Sequence, residues 1–447
     1  MVFSLRDMLL TGWITLTLLS FHGSAAASIA SRRAVQPDPS NGHWIDTWAA
    51  MMQLTEPTNL PPPPFNETGA VFVNSTIRQT LKVSVGGSQI RLKISNAFGV
   101  TNLAVTAVTV AFPKTNTAGI HEIKPDTVQS VTFSGRGSIS IPNGALVVSD
   151  PLNLSIKAQS IITVTIYLKD GLRNSITGHP GSRVTSWWQF GNAVDAPSLS
   201  ISDRHTQSGP HWYFLSSIEA WVPSSYSSLI ILGDSITDGK GSDDNKNNRW
   251  PDLLFARMQK SPSTSTISVA NLAAGGNRLL ADVVGPSVLS RLDRDLLAHS
   301  GVKYAMVFEG VNDIGKAPSN TADQDALYTS MIKAYKQIVT RIHSLGIPVF
   351  GATITPFSGN FTRMPYSTPE REVTRIRINK WMRENEVFDA LIDFDALVKD
   401  PLLPSRLKSE YGVGDYIHLN PKGYQVMADG FPIDLFEKWK DGVKKFV

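Results

Sequence analysis

Two patterns of apolar and polar positions divide the chain. Between residues 40 and 225, apolar residues recur at every second position in short runs: "STIRQTLKVSV", "QIRLKISN", "LAVTAVTVAF", "SVTFSG" and "SIITVTIYL". The runs are rich in β-branched residues and broken by turns such as "GGS", "SGRGS" and "IPNGA", the signature of short antiparallel strands. They predict an antiparallel β-sandwich or jelly-roll-like domain over 40–225. An early proline-rich stretch, "LPPPPFNETG", reads as a stiff loop within it.

From residue 226 the apolar runs become continuous. "SLIIL", "TISVANL", "YAMVFEG", "IPVFGATI" and "ALIDFD" read as strands buried on both faces. Helical stretches separate them. "ALYTSMIKAYKQIVTRIHSLG" repeats apolar residues at spacings of three and four and closes on Gly346, with Pro348 beyond. "EREVTRIRINKWMRENEVF" predicts another helix. Strand–helix alternation of this length predicts a parallel sheet with helices on both faces over 226–447. The boundary is expected within "VPSSYSS", 222–228.

A length of 447 residues agrees with two domains. Hydrophobic residues make up 42% and charged residues 18%, the balance of a globular protein. A formal charge of +4, with no dense Lys/Arg stripe among aromatics, argues against nucleic acid as a partner.

Residues 1–27 read as a signal peptide. Arg6 precedes the apolar "MLLTGWITLTLLSF", and "GSAAAS" supplies small residues for cleavage near Ala26 or Ala27. This apolar stretch is interrupted and shorter than the ~20 residues a membrane span needs. Residues 28–39 form a pro-segment or linker, in which "SRR" at 31–33 is either a processing site or an uncut basic stretch. No other stretch suits a bilayer, so the expectation is a secreted, extracellular protein without stable membrane insertion. There are no cysteines, which rules out a thiol nucleophile, disulfides and thiolate-bound metal. Asn66, Asn74, Asn153 and Asn360 stand in N-x-S/T triplets and are candidate glycan sites, although such triplets also arise by chance.

In open parallel sheets ligands sit beyond the carboxyl ends of the strands, and here those ends carry the unusual residues. Gly233-Asp234-Ser235 follows "SLIIL", Ala273-Ala274-Gly275-Gly276-Asn277 follows "TISVANL", and Gly310-Val311-Asn312-Asp313 follows "YAMVFE". Near the C-terminus, "GDYIHLNPKGYQVMADG" places Asp415 three residues before His418. Acyl transfer fits this set. A serine hydroxyl becomes a nucleophile when a base takes its proton. His418 can be that base, and Asp415 can fix its tautomer. The backbone N–H groups of Ser235 and Gly276 and the amide of Asn312 can hold an oxyanion. Taken singly, each has a plainer reading: Ser235 or Asn312 as a cap, and Asp415 with His418 as a surface pair.

These four blocks resemble the SGNH (GDSL-type) hydrolase superfamily: "GDSITDG", "NLAAGGN", "GVND" and "DYIH" stand in its order. Two positions depart from the usual pattern, Ile236 for leucine and Ala273 for a glycine common among relatives. The resemblance implies a flavodoxin-like hydrolase domain with Ser235 as nucleophile, Gly276 and Asn312 as oxyanion donors, His418 as base and Asp415 as its orienter. "WIDTWAA", "WYFLSSIEAWVP", "NRWPDLLFARM" and "LDRDLLAHSGV" look like a secreted subgroup with a β-rich domain upstream.

The neighbouring polar residues have structural readings. Asp234 and Asp313 should brace loops, and Arg249, Trp250, Asn277 and Arg278 should anchor them, with Arg278 within reach of the cleft. His179, His205 and His211, near Trp187, Trp188, Trp212 and Tyr213, read as core packing. The residue two places after Ser235 is Thr237, so there is no G-x-S-x-G elbow. No metal-ligand spacing appears, and no cofactor is implied. The expectation is a secreted, cofactor-independent serine esterase acting on short-acyl (acetyl) esters of polysaccharide. The alternatives are a lipase or lysophospholipase on longer acyl chains, and a carbohydrate-binding protein with a silent hydrolase domain.

Overall fold

The computed structural model describes residues 36–446 apart from 68, 174, 201–204, 363 and 364. The expected leader, its cleavage site and the "SRR" stretch lie outside the described residues.

The upstream half is antiparallel and β-rich. Its larger sheet has six strands, in the spatial order Thr206–Gly209, Ser186–Phe190, Ser75–Lys82, Ile161–Leu168, Ala107–Ala111 and Gln129–Ser130. A second sheet has four strands, in the order His43–Ala49, Leu215–Val222, Ile90–Ser95 and Leu146–Val148. The two-residue alternation is real, but its polar side does not face water. Thr76, Arg78 and Thr80 are buried under loops that supply their partners. Thr76 donates to the Gly191 carbonyl at 2.6 Å, Arg78 donates to the carbonyls of His121 and Ala196, and Thr80 accepts from the Gly119 N–H at 2.6 Å. Buried polar groups are tolerated because each is bonded.

The downstream half is a five-stranded parallel sheet: β1 (Ser227–Gly233), β2 (Ile267–Ala273), β3 (Val302–Phe308), β4 (Val349–Ala352) and β5 (Ala390–Ile392). The strand order is β2-β1-β3-β4-β5. This is the flavodoxin-like winding, whose direction reverses beside β1 and leaves a crevice between the ends of β1 and β3. The helices that matter for the site are α1 (Ser235–Asp238), α2 (Trp250–Met258), α3 (Val311–Lys316), α4 (Thr321–His343), α5 (Pro369–Glu384) and α6 (Pro421–Gly430). The long amphipathic helix α4 ends at His343 with Ser344 as its C-cap, and Gly346 then takes φ +73°. α5 stops at Glu384, short of the predicted "NEVF", because Asn385 turns to extended backbone.

The chain passes from the four-stranded sheet to β1 within residues 223–226, and the two halves share one apolar core. Polar contacts lock the junction. The Asp46 carboxylate, fully buried in the first strand, accepts from the Ser300 N–H at 2.9 Å and meets His299 Nδ1 at 2.9 Å. Ser268 at the start of β2 donates to the Asp46 carbonyl at 2.7 Å.

Candidate active site

The residues singled out at the strand ends converge. Asp234 ends the run of β1 and caps α1, its side chain accepting from the Ile236 N–H at 2.9 Å. The next residue, Ser235, is held in the first turn with its hydroxyl toward the loop after residue 412. There Asp415 Oδ1 accepts the N–H groups of Ile417 and His418 at 3.1 and 2.9 Å, a tight turn that sets the imidazole. His418 Nδ1 donates to Asp415 Oδ2 at 2.6 Å, and Ser235 Oγ donates to His418 Nε2 at 2.8 Å. Hydroxyl, imidazole and carboxylate form one chain of bonds, an arrangement in which serine loses its proton to histidine and the carboxylate holds the imidazole in register.

The protonation states suit that arrangement. Burial favours the neutral acid of Asp415, but the side-chain and backbone bonds from His418 outweigh it and keep the carboxyl well below the usual carboxylate range. Burial pushes His418 below its ordinary value; Lys240 and Arg183 act in the same direction and Asp415 opposes them.

Opposite the imidazole stand the candidate oxyanion donors. The Gly275 N–H is committed to Asp238 Oδ2 at 3.1 Å, which leaves the Gly276 N–H as the glycine donor available to a ligand. Gly276 takes φ +73°, a conformation disfavoured for side-chain-bearing residues. On α3, one amide hydrogen of Asn312 is bonded to the Asn277 carbonyl at 2.9 Å. Tyr366 donates to Asn312 Oδ1 at 3.1 Å, so the amide cannot flip and its second hydrogen stays free. Gly310, with φ +126°, makes the sharp entry into α3; a Cβ there would lie 2.8 Å from the Tyr335 hydroxyl. Ser235, Gly276, Asn312, Asp415 and His418 line a pocket of about 580 Å³, together with Lys240, Arg278, Val283, Val284, Lys316, Tyr366 and Ile417.

Asp234 and Asp313 brace loops as expected. Asp313 accepts the N–H groups of Leu279 and Leu280 at 2.8 and 3.0 Å, tying the glycine loop to α3. Burial raises Asp313 to about 6. Burial, with the nearby Asp313 and Asp238, raises Asp234 to about 7. Glu309, buried beside them with neither carboxyl oxygen hydrogen-bonded, is pushed far up by burial and by Asp234 and Asp313.

Three residues were invisible as site elements in the sequence. Tyr366 arrives from an irregular loop between β4 and α5. Arg291 is fully buried and donates to the Leu272 carbonyl at 2.6 Å and to Asn277 Oδ1 at 3.1 Å, underpinning the glycine loop. His179 packs against Trp212, as the core reading expects, yet it also bonds to Asp238 at 2.9 Å. Arg249 anchors across the halves by donating to the Ser182 carbonyl at 2.9 Å, and Arg278 lines the pocket. Of the sequon residues, Asn74, Asn153 and Asn360 are exposed and Asn66 is half-buried. Among the described residues no group of three or more His, Asp or Glu side chains is placed to hold a metal ion, and no helix is long and apolar enough to cross a membrane.

Comparison with curated proteins finds no match. Among solved structures, the chain is similar to a GDSL-like lipase from Bacteroides thetaiotaomicron at 15% identity, covering 47% of this chain and 88% of that one with a TM-score of 0.34. It is also similar to a carbohydrate acetylesterase family member from Sinorhizobium meliloti at 16% identity, covering 47% and 98% with a TM-score of 0.36. An acetyl xylan esterase matches at 20% identity, covering 45% and 96% with a TM-score of 0.34. Residues 231–426 match the GDSL-like lipase/acylhydrolase family, and this segment contains every strand-end block described above. The parallel-sheet half is therefore a GDSL-like lipase/acylhydrolase domain of the SGNH superfamily, and the chain is a hydrolase acting on esters.

Proposed function

We propose that the chain hydrolyses short-acyl esters, acetyl esters of polysaccharide foremost, through a Ser235–His418–Asp415 triad. The observation that carries this reading is the continuous chain of bonds from Ser235 Oγ through His418 to Asp415. Ser235 Oγ attacks the ester carbonyl while His418 Nε2 takes its proton. The Gly276 and Ser235 N–H groups and the free amide hydrogen of Asn312 receive the oxyanion. His418 then passes the proton to the leaving alcohol, and a water molecule repeats the sequence on the acyl-enzyme to release the acid. A pocket of about 580 Å³ over Ser235 supports a bulky alcohol portion. Secretion, removal of residues 1–27 and glycosylation at the sequons belong to the same proposal; sequencing the N-terminus of the exported protein checks the first two.

The test is hydrolysis of p-nitrophenyl esters from acetate to palmitate by the wild type and Ser235→Ala. The reading expects activity on short chains and a loss of at least ~10³-fold in the variant. A preference for palmitate would favour the lipase alternative. Equal turnover by both proteins, or none by either, would favour the silent-domain alternative.

A further inference from the structure

A second cavity, of about 350 Å³, opens where the four-stranded sheet meets the segment 294–300 that precedes β3. Small-molecule sites of ~300–1,000 Å³ favour such junctions between folded units. Three cations stand in its wall: Arg91 and Lys93 from the strand Ile90–Ser95, and Arg294 from the hydrolase half. Their side chains are 26%, 10% and 29% exposed, and the protein holds each in place. The Arg91 guanidinium lies 4.5 Å from the centre of the Trp44 ring, and its Nε donates to Glu219. Lys93 Nζ meets Glu219 Oε1 at 2.9 Å. Arg294 donates to Asp295 through Nε and Nη2, and to the Met52 carbonyl through Nη2 at 2.9 Å. Both terminal nitrogens of Arg91 and Nη1 of Arg294 have no acceptor among the described residues.

The carboxylates around the cavity are already engaged. Glu219 takes Arg91, Lys93 and the Ser300 hydroxyl, and Asp295 takes Arg291 and Arg294. Asp46 takes His299, the Ser300 N–H and, at 3.9 Å, Lys93. Arg91, Lys93, Arg291 and Arg294 thus face three carboxylates, and one positive charge is left over without counting His299. The remaining wall includes Leu146 and Val148, 46% and 39% exposed on the edge strand of the sheet. A doubly charged phosphate would exceed the spare charge. A neutral sugar would leave the open guanidinium edge without a charged acceptor. We infer that this junction cavity binds a small organic monocarboxylate, its carboxylate on Arg91 with Lys93 alongside and its apolar body on Leu146 and Val148. The paired terminal nitrogens of an arginine form the fork that a carboxylate fits with two bonds. The cavity shares no residue with the pocket over Ser235, so the inference stands apart from the ester-hydrolase reading.

The experiment is calorimetric titration of the full chain with benzoate in a buffer free of carboxylates. Saturable binding is expected with a Kd below about 1 mM, the scale of a few charge-assisted bonds. Benzamide, which has the same shape without the charge, should not bind, and inorganic phosphate should bind more weakly than benzoate. Arg91→Lys keeps the charge beside Glu219 but loses the fork, and benzoate should bind about tenfold more weakly or worse. Val148→Asp sets a like charge on an exposed part of the wall and should abolish binding. Neither position lines the pocket over Ser235, so these losses place the ligand in the junction cavity. Melting curves without benzoate confirm that each variant is folded, and Val148→Asp decides the matter by itself where Arg91→Lys is not. Absence of saturation, equal affinity for benzamide, tighter binding of phosphate, or unchanged affinity in the folded variants would each overturn the inference.

Discussion

His179 Nε2 and Asp238 Oδ1 lie 2.9 Å apart in a buried pair that joins the β-rich half to the hydrolase half. The other nitrogen of His179 bonds to the Met51 carbonyl at 2.9 Å, and the other oxygen of Asp238 holds the Gly275 N–H at 3.1 Å. The upstream half therefore fixes the loop that carries Gly276. Space is equally tight: a Cβ on Gly181 would fall 1.8 Å from Asp238 Oδ2.

His179→Gln breaks this link, since one amide cannot reproduce both ring bonds. A displacement of about 1 Å at the reacting centre costs on the order of 10²-fold. The expected result is a 10- to 100-fold fall in kcat on p-nitrophenyl acetate, with KM changing little and the melting temperature lowered by the loss of one buried bond. A variant with wild-type kcat would show that the upstream half does not set the loop that carries Gly276.

Much of the hydrolase half was legible because the chemistry sits where periodicity stops. Continuous apolar strands end abruptly on Asp234-Ser235, on Gly275-Gly276 and on Asn312, so fold and site could be read from the same boundary. Arg291 and Tyr366 carry no such marker: one sits in an ordinary amphipathic stretch, the other in a loop without pattern, and both act through contacts far along the chain. His179 is the clearest case. Its burial was foreseeable from its aromatic neighbours, but its bond to Asp238 exists only once the two halves pack. The upstream strands show a related gap. Alternation identified them, yet it could not show that loops would cover Thr76, Arg78 and Thr80.

The pH profile follows from the direction of the His418 shift. Burial lowers its pKa below 6.5, and only the neutral imidazole can accept the Ser235 proton. Activity should thus be absent at low pH, rise through a midpoint below 6.5, and stay level across neutral pH. Asp415 is the group that raises His418, by bonding to its protonated ring. Asp415→Asn should therefore move the acidic limb further down while lowering kcat by up to ~10⁴-fold, as loss of a triad carboxylate does. Profiles of kcat/KM for both proteins check this, and a midpoint that moves upward in the variant would contradict the assigned role.

Asn312 and Tyr366 should separate in magnitude. Asn312→Ala removes the proposed oxyanion donor, and a fall of about 10²–10³ in kcat is expected. Tyr366→Phe removes only the bond that orients the amide, worth about 0.5–1.5 kcal/mol, or roughly two- to twelvefold in rate. Steady-state kinetics on one p-nitrophenyl ester measure both. Equal losses would place the Tyr366 hydroxyl on the oxyanion itself.

Arg291 offers a prediction on stability. Its guanidinium is buried, meets Asp295 at 3.1 Å, and donates to the Leu272 carbonyl and Asn277 Oδ1. Arg291→Met keeps comparable volume but removes the charge and leaves those acceptors unpaired. Asp295 retains Arg294, so its charge is not stranded. The exposed cost lies in the buried carbonyl and amide oxygens, each about 1–3 kcal/mol when unsatisfied. Unfolding free energy in urea should therefore fall by about 2–6 kcal/mol, the cost of those two unsatisfied acceptors together. Because Asn277 also accepts no replacement donor in the variant, the loop bearing Gly276 should loosen and kcat should fall as well. A loss of stability below about 1 kcal/mol, typical of a solvent-exposed pair, would mean that Arg291 fills space and does not hold the glycine loop.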